Sequence, residues 1–138
     1  MNQNKLISLL EVTSVVDVTP VFEIHKKLLN FLASDTSRNE WLETSTFSIY
    51  VRKGLKVFDQ ETFTRTLDIA SVTCNLPGEG LFTLLLQKIE EDLPSLNFKG
   101  IFIENVQNER FAEFFRKRKF SRSETIGIGG TPCFYKVL

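Results

Sequence analysis

Gly78 and Gly80 stand in the run Asn75-Leu76-Pro77-Gly78-Glu79-Gly80, between a strand-like segment ending at Cys74 and an apolar-periodic segment opening at Leu81. One glycine is enough for a tight reversal, so the second suggests that something approaches the backbone closely. A helix N-terminus exposes unpaired N–H groups and a partial positive charge, and glycines let a phosphate reach them. The chemistry expected of this run is that of a pyrophosphate cradle. It lacks the Lys-Ser/Thr of a P-loop and the third glycine of a dinucleotide fingerprint. A second glycine-rich run, from Ile126 to Pro132, has no helix behind it and reads as a hairpin loop without a phosphate site.

The other reactive side chains are less informative. His25, the single histidine, precedes Lys26 and Lys27 on an amphipathic pattern and is expected in solvent. Cys74 and Cys133 have no CxxC or Cys/His spacing, so neither a metal site nor a redox pair is indicated and both read as buried thiols. Arg110, Arg116, Lys117, Arg118, Lys119 and Arg122 form a local basic cluster, read either as a contact for an anionic group or as a solvated face balanced by Glu90, Glu91 and Asp92. Seventeen basic residues equal seventeen acidic ones, so the molecule has no net field to draw nucleic acid or an anionic membrane, and no RNA or DNA motif is present.

A length of 138 residues suits one domain, 1–138, and thirteen Phe imply a core built on rings. No stretch reaches the roughly eighteen apolar residues of a membrane span. The N-terminal run has no small-residue cleavage pattern, so a cytoplasmic location is the default expectation.

These residues must be positioned by the elements around them. Leu6 to Thr13 reads as a strand. Thr19 and Pro20 carry helix-start chemistry, and Val21, Ile24, Leu28, Phe31 and Leu32 make a helical stripe. Ser37 is read as the cap of a short second helix with Trp41 and Leu42. Phe47 to Val51 alternates as a strand, Arg52-Lys53-Gly54 reads as a turn, and Leu55 to Phe58 as the returning partner. Phe63 to Cys74 is a long strand with Leu67, Ile69 and Ser71 on one face. A helix from Leu81 to Leu93, a strand from Phe98 to Ile103, a helix bearing Phe111, Phe114 and Phe115, and a strand from Cys133 to Val137 follow. The helix between the strands near Leu67 and Phe98 is a crossover, which makes those two strands parallel. The fold class is therefore α/β, a central mixed sheet covered by helices on both faces, and the glycine loop lies at the carboxyl edge where ligands of such sheets bind.

This order, with Glu104-Asn105 closing the strand and the run Asn108 to Phe120 after it, resembles the GNAT family of acetyl-CoA-dependent N-acetyltransferases from about Phe47 to Leu138. In that family a Gln/Arg-x-x-Gly-x-Gly/Ala loop holds the coenzyme A pyrophosphate on its amides. Gly78 and Gly80 match, and Asn75 replaces the larger first residue. The later segment usually reads Asn-x-x-Ala-x-x-Leu-Tyr-x-Lys-x-Gly-Phe. Asn108, Lys117 and Phe120 match, whereas Phe111, Phe114, Phe115 and Lys119 replace the alanine, leucine, tyrosine and glycine. The resemblance implies a GNAT-like fold, acetyl-CoA as the acyl donor, and a contact set of Val72, Cys74, Asn75, Pro77, Gly78, Glu79, Gly80, Leu81, Asn108 and Phe115.

The reaction so implied is direct attack of an amine on the thioester, with the oxyanion held by a backbone N–H around Val72 to Cys74. An alkylammonium of pKa about 10.4 must first lose a proton, so a carboxylate is wanted: Glu104 first, then Asp68, about 20 Å from the loop along an extended strand. For both, a plain ion-pairing role is the competing reading. The tyrosine that commonly protonates the leaving thiolate is Phe115 here. Tyr135 is a substitute, and with a thiol pKa near ~8.5 water also serves. The acceptor is an amine on a small molecule or a protein. The alternative is a GNAT-like domain that has lost its chemistry and acts as a binding or inhibitory module, a reading that Phe111, Phe115 and Lys119 support. The phenylalanines of the late helix read as core, with a homodimer contact as the second reading.

Overall fold

The computed structural model describes residues 16–58 and 62–138, so the strand expected over Leu6 to Thr13 lies outside the described residues. Helix α1, Thr19–Ala33, buries Val21, Ile24, Leu28, Phe31 and Leu32, as the stripe predicts. Its first turn is served by Asp17 rather than by Thr19: the Thr19 N–H donates to the Asp17 carboxylate at 3.0 Å. That bond and the Thr19 hydroxyl hold the Asp17 carboxyl below its ordinary range. His25 is not in solvent. Its side chain is 15% exposed and sits 2.6 Å from the Asp92 carboxylate on the next helix.

Two segments differ from the sequence reading. Trp41 and Leu42 lie on strand β1, Asn39–Glu43, not on a helix, with Leu42 alone buried. Strand β2 runs unbroken from Phe47 to Val57, through the Arg52-Lys53-Gly54 run expected to turn. The turn falls earlier, where the Thr44 hydroxyl accepts from the N–H groups of Thr46 and Phe47. Gly54 is there for space: a Cβ on it would stand 2.4 Å from a carboxylate oxygen of Asp68.

Strand β3 spans Phe63–Cys74, helix α2 spans Leu81–Asp92, and a 3₁₀ turn over Leu93–Leu96 carries the chain to β4, Gly100–Ile103. Helix α3, Glu109–Lys117, and the hairpin β5, Ser121–Ile126, with β6, Pro132–Val137, complete the chain. Strand β5 is the element the sequence order did not contain. Among the described residues six strands lie in the order β1-β2-β3-β4-β6-β5, with β3 and β4 parallel and the other pairs antiparallel. The mixed sheet and the parallel crossover are as expected.

Tyr50 pairs with Ser71 but Val51 pairs with Ile69, so Ala70 is an extra residue on β3. Such a bulge shifts the alternation by one. Leu67 and Ile69 face the core before it and Val72 and Cys74 pack against the core after it, while Ser71 is exposed, opposite to the expected face. The registered residues Leu67, Ile69, Ile101, Ile103 and Phe134 share that core face. Among the described residues all three helices join a single apolar cluster on it, so they cover one face of the sheet where helices on both faces were expected. Among the described residues seven phenylalanines are buried: Phe31, Phe47, Phe98, Phe102, Phe115, Phe120 and Phe134. Each such ring supplies about 1.5–3 kcal/mol of transfer free energy.

Candidate functional site

The site begins where two parallel strands part. The last registered pair is Ile69 with Ile103, and the Glu104 N–H donates to the Ile69 carbonyl at 2.9 Å. Strand β3 then continues to Cys74, whereas the chain after Ile103 turns away through Asn105, whose φ is +55°. The stretch from Ala70 to Cys74 thus has no β4 partner. Two adjoining clefts open there, one of about 310 Å³ lined by Ser71, Glu104, Gln107 and Asn108, the other of about 690 Å³ lined by Cys74, Gly78, Gly80 and Arg110. Val72 and Phe111 line both.

The larger cleft contains the glycine loop. Gly78 has φ +84° and Gly80 φ +74°, the left-handed region that a Cβ disfavours, which answers why two glycines are needed. No atom lies within 4 Å of where a Cβ on either would stand. Both glycines line the cleft with open space above them. Gly80 opens α2 with no side-chain cap, leaving the first-turn N–H groups to a ligand or water. Val72, Cys74, Pro77, Gly78, Gly80 and Leu81 all line this cleft.

Asn75 and Glu79 do not. The Asn75 amide donates to the Ser45 carbonyl at 2.8 Å and its N–H to Thr46, so it fastens the loop to the β1–β2 turn. Glu79 lines a separate depression with Val16, Val18 and Thr83.

Asn108 caps α3, its side-chain oxygen accepting from the Phe111 N–H at 2.7 Å, and it also lines the smaller cleft. Phe111 and Phe114 line the larger cleft, but Phe115 is withdrawn into the core against Phe120 and Phe134, where it touches no ligand. The helix presents its ring pair one position away from the expected tyrosine because Ala112 and Phe115 form the buried face. Lys119, where the family has glycine, carries φ +71° in the turn that ends α3.

The three residues expected to move protons are dispersed. Glu104 lines the smaller cleft, and its carboxylate accepts from Arg52 Nη2 at 2.9 Å. Asp68 is buried on the opposite face of the sheet from the core, held by Lys56 and by the Thr66 hydroxyl, each at 2.6 Å, and it lines neither cleft. This closed network replaces the role of a base. Tyr135 shares that face, registered with Phe102 and stacked on Phe58 at 4.2 Å, and it too lies outside both clefts. Arg52 was legible only as part of a turn, since its partner lies 52 positions away. Of the basic cluster, Arg110 lines the larger cleft, Arg116 pairs with Glu109 and Glu113, and Arg118 lies over the Phe114 ring at 3.6 Å while donating to Thr83. Among the described residues no group of His, Cys, Asp and Glu is placed to hold a metal, and no helix is long and apolar enough to cross a membrane.

A mixed sheet whose parallel pair splays beside a glycine loop and a helix N-terminus is the fold of the GNAT acetyltransferases, and this chain is a divergent example of that fold. Among solved structures it is similar to the PaiA N-acetyltransferase of Thermoplasma acidophilum in complex with coenzyme A, with TM-score 0.52 and 13% identity over 82% of this chain and 70% of that one. It is similar also to Naa50 of Arabidopsis thaliana in complex with the bisubstrate analogue CoA-Ac-MVNAL, with TM-score 0.50 and 14% identity over 99% and 91%. The chain spans 58% of the length of the AtaT toxin bound to acetyl-CoA and its antitoxin AtaR, at 13% identity, 67% of this chain and TM-score 0.46. No family model and no curated protein matches the sequence.

Proposed function

We propose that this chain binds acetyl-CoA and transfers its acetyl group to an amine. The observation that carries the reading is the pair of left-handed glycines with open space above them at the uncapped start of α2. Four features fit a pyrophosphate there: open space over the two glycines, an uncapped helix N-terminus, Arg110 on the cleft wall, and room of about 690 Å³. The similar PaiA structure, which holds coenzyme A, supports the same ligand class.

Glu104 is the residue we assign to the proton, as the carboxylate on the wall of the smaller cleft. An acceptor ammonium gives one proton to Glu104, and its free lone pair attacks the thioester carbonyl. The N–C bond forms, the C–S bond breaks, and the sulfur leaves as a thiolate. The second amine proton goes to solvent, and the thiolate is protonated by water in place of the missing tyrosine. The products are an N-acetyl amide and free thiol.

A second reading rests on Phe111, which walls both clefts where the family has alanine. A ring there narrows the passage between the thioester and the acceptor, as expected of a domain that binds but does not react. Calorimetric titration with acetyl-CoA, on wild type and Gly78→Glu, tests both. Micromolar binding lost in the variant supports the cradle, and unchanged binding removes it. Binding without thiol release across an amine panel, restored by Phe111→Ala, favours the second reading.

A further inference from the structure

Glu104 is one end of a ladder whose other side chains the chemistry above does not use. Its carboxylate holds Arg52, the Arg52 guanidinium lies over the Tyr50 ring at 5.5 Å, and Tyr50 packs against Trp41 at 5.1 Å. The first rung lines the smaller cleft and the last is 54% exposed. Arg52 on β2 and Trp41 and Tyr50 on β1 and β2 reach one face of the sheet because register pairs Trp41 with Tyr50, and Tyr50 and Arg52 alternate onto the same side.

Charge decides what such a ladder recognises. Arg52 and Glu104 cancel, and the neighbouring Asp68 is already neutralised by Lys56, so the cleft mouth attracts neither a polycation nor a polyanion. It presents a dipole instead. Arg52 spends one Nη2 donor on Glu104 and its side chain is 42% exposed, so the remaining donors at the end of the guanidinium face outward, while its Nε is buried with no hydrogen-bond partner among the described residues. A guanidinium with donors to spare beside a carboxylate matches a ligand carrying an anion beside a cation, because Arg offers several donors in one plane to a carboxylate.

Resting on the transferase reading, the geometry points to a zwitterionic acceptor, a free α-amino acid with an apolar or aromatic side chain. Its ammonium meets Glu104 in the smaller cleft, its carboxylate meets Arg52, and its side chain lies along Tyr50 and Trp41. Arg52 is then a specificity residue. An amide or a peptide N-terminus lacks the anion that Arg52 takes, and a polyamine brings a second cation against it.

Saturation-transfer NMR with free phenylalanine, its carboxamide and spermidine, each with and without coenzyme A, tests this. The expected order is the free acid tightest, with the amide and spermidine weaker by roughly 10- to 100-fold, the worth of a charged hydrogen bond. Arg52→Gln should bind acid and amide alike. Trp41→Ala, a change at an exposed site, should weaken the phenylalanine signal and leave glycine unchanged. Equal binding of acid, amide and spermidine to wild type, absence of all three, or a preference that survives Arg52→Gln overturns the inference. Amino acid binding without any coenzyme binding would sink the transferase reading and spare the acceptor site. Coenzyme binding without zwitterion preference would do the reverse.

Discussion

Gly54 lies directly beneath the Asp68 carboxylate: a Cβ built on it would meet Oδ2 at 2.4 Å and Oδ1 at 2.6 Å. Asp68 cannot step aside, since Lys56 and Thr66 fix its two oxygens and its side chain is 5% exposed. Gly54→Ala therefore either displaces a paired buried carboxylate or bends β2, at about 1–3 kcal/mol. Urea unfolding measures this, and an unchanged midpoint would show that the network yields freely.

Lys119 holds a left-handed backbone at φ +71° while its N–H donates to the Arg116 carbonyl and the Phe120 N–H to the Phe115 carbonyl, the pattern that closes a helix. A non-glycine residue there costs about 1–2 kcal/mol, part of which glycine returns as unfolded-state entropy. Lys119→Gly should stabilise the protein by about 0.5–1 kcal/mol in a thermal melt. A lowered melting temperature would mean that the lysine side chain makes a contact worth more than the strain.

Strong local signals were legible in the sequence: the α1 stripe, the parallel crossover and the glycine loop, whose backbone sign is written in Gly78 and Gly80 themselves. Contacts between distant residues were not. Gly54 looked like a turn because the carboxylate that needs its space comes from the neighbouring strand. Ser121–Ile126 has no apolar alternation to announce it and exists by pairing with β6 at the sheet edge. Ser71 was put on the wrong face because no residue type marks the bulge at Ala70. At the site the glycine loop was readable, but Arg52 was not, and Asp68 and Tyr135 looked chemical until their partners Lys56 and Phe58 were seen.

Asn75 and Asn108 separate anchoring from binding. Asn75 ties the loop to Ser45, so Asn75→Ala should cost about 0.5–1.5 kcal/mol of stability and leave acetyl-CoA affinity within twofold. Asn108 caps α3 and borders the smaller cleft, so Asn108→Ala should cost about 1 kcal/mol of stability and also weaken the acceptor. Chemical denaturation beside calorimetry reads both. A large affinity loss in Asn75→Ala would return that residue to the coenzyme.

Glu109 opens α3, and a hydrogen bond from Arg116 holds its carboxyl below the ordinary range, with the Arg116 charge adding to it. The same pair raises Arg116. A carboxyl depressed in the folded state binds fewer protons there than in the unfolded chain, so its contribution is present above the unfolded value of 4.5 and is lost as pH falls through the lowered folded value. Both partners are exposed, so the effect is small and screened by salt. Thermal melts of wild type and Glu109→Gln at low ionic strength should differ at pH 7, with wild type higher, and converge as pH falls through the lowered folded value. Curves that stay parallel through the acid range would show that Glu109 acts through helix packing and not through its charge.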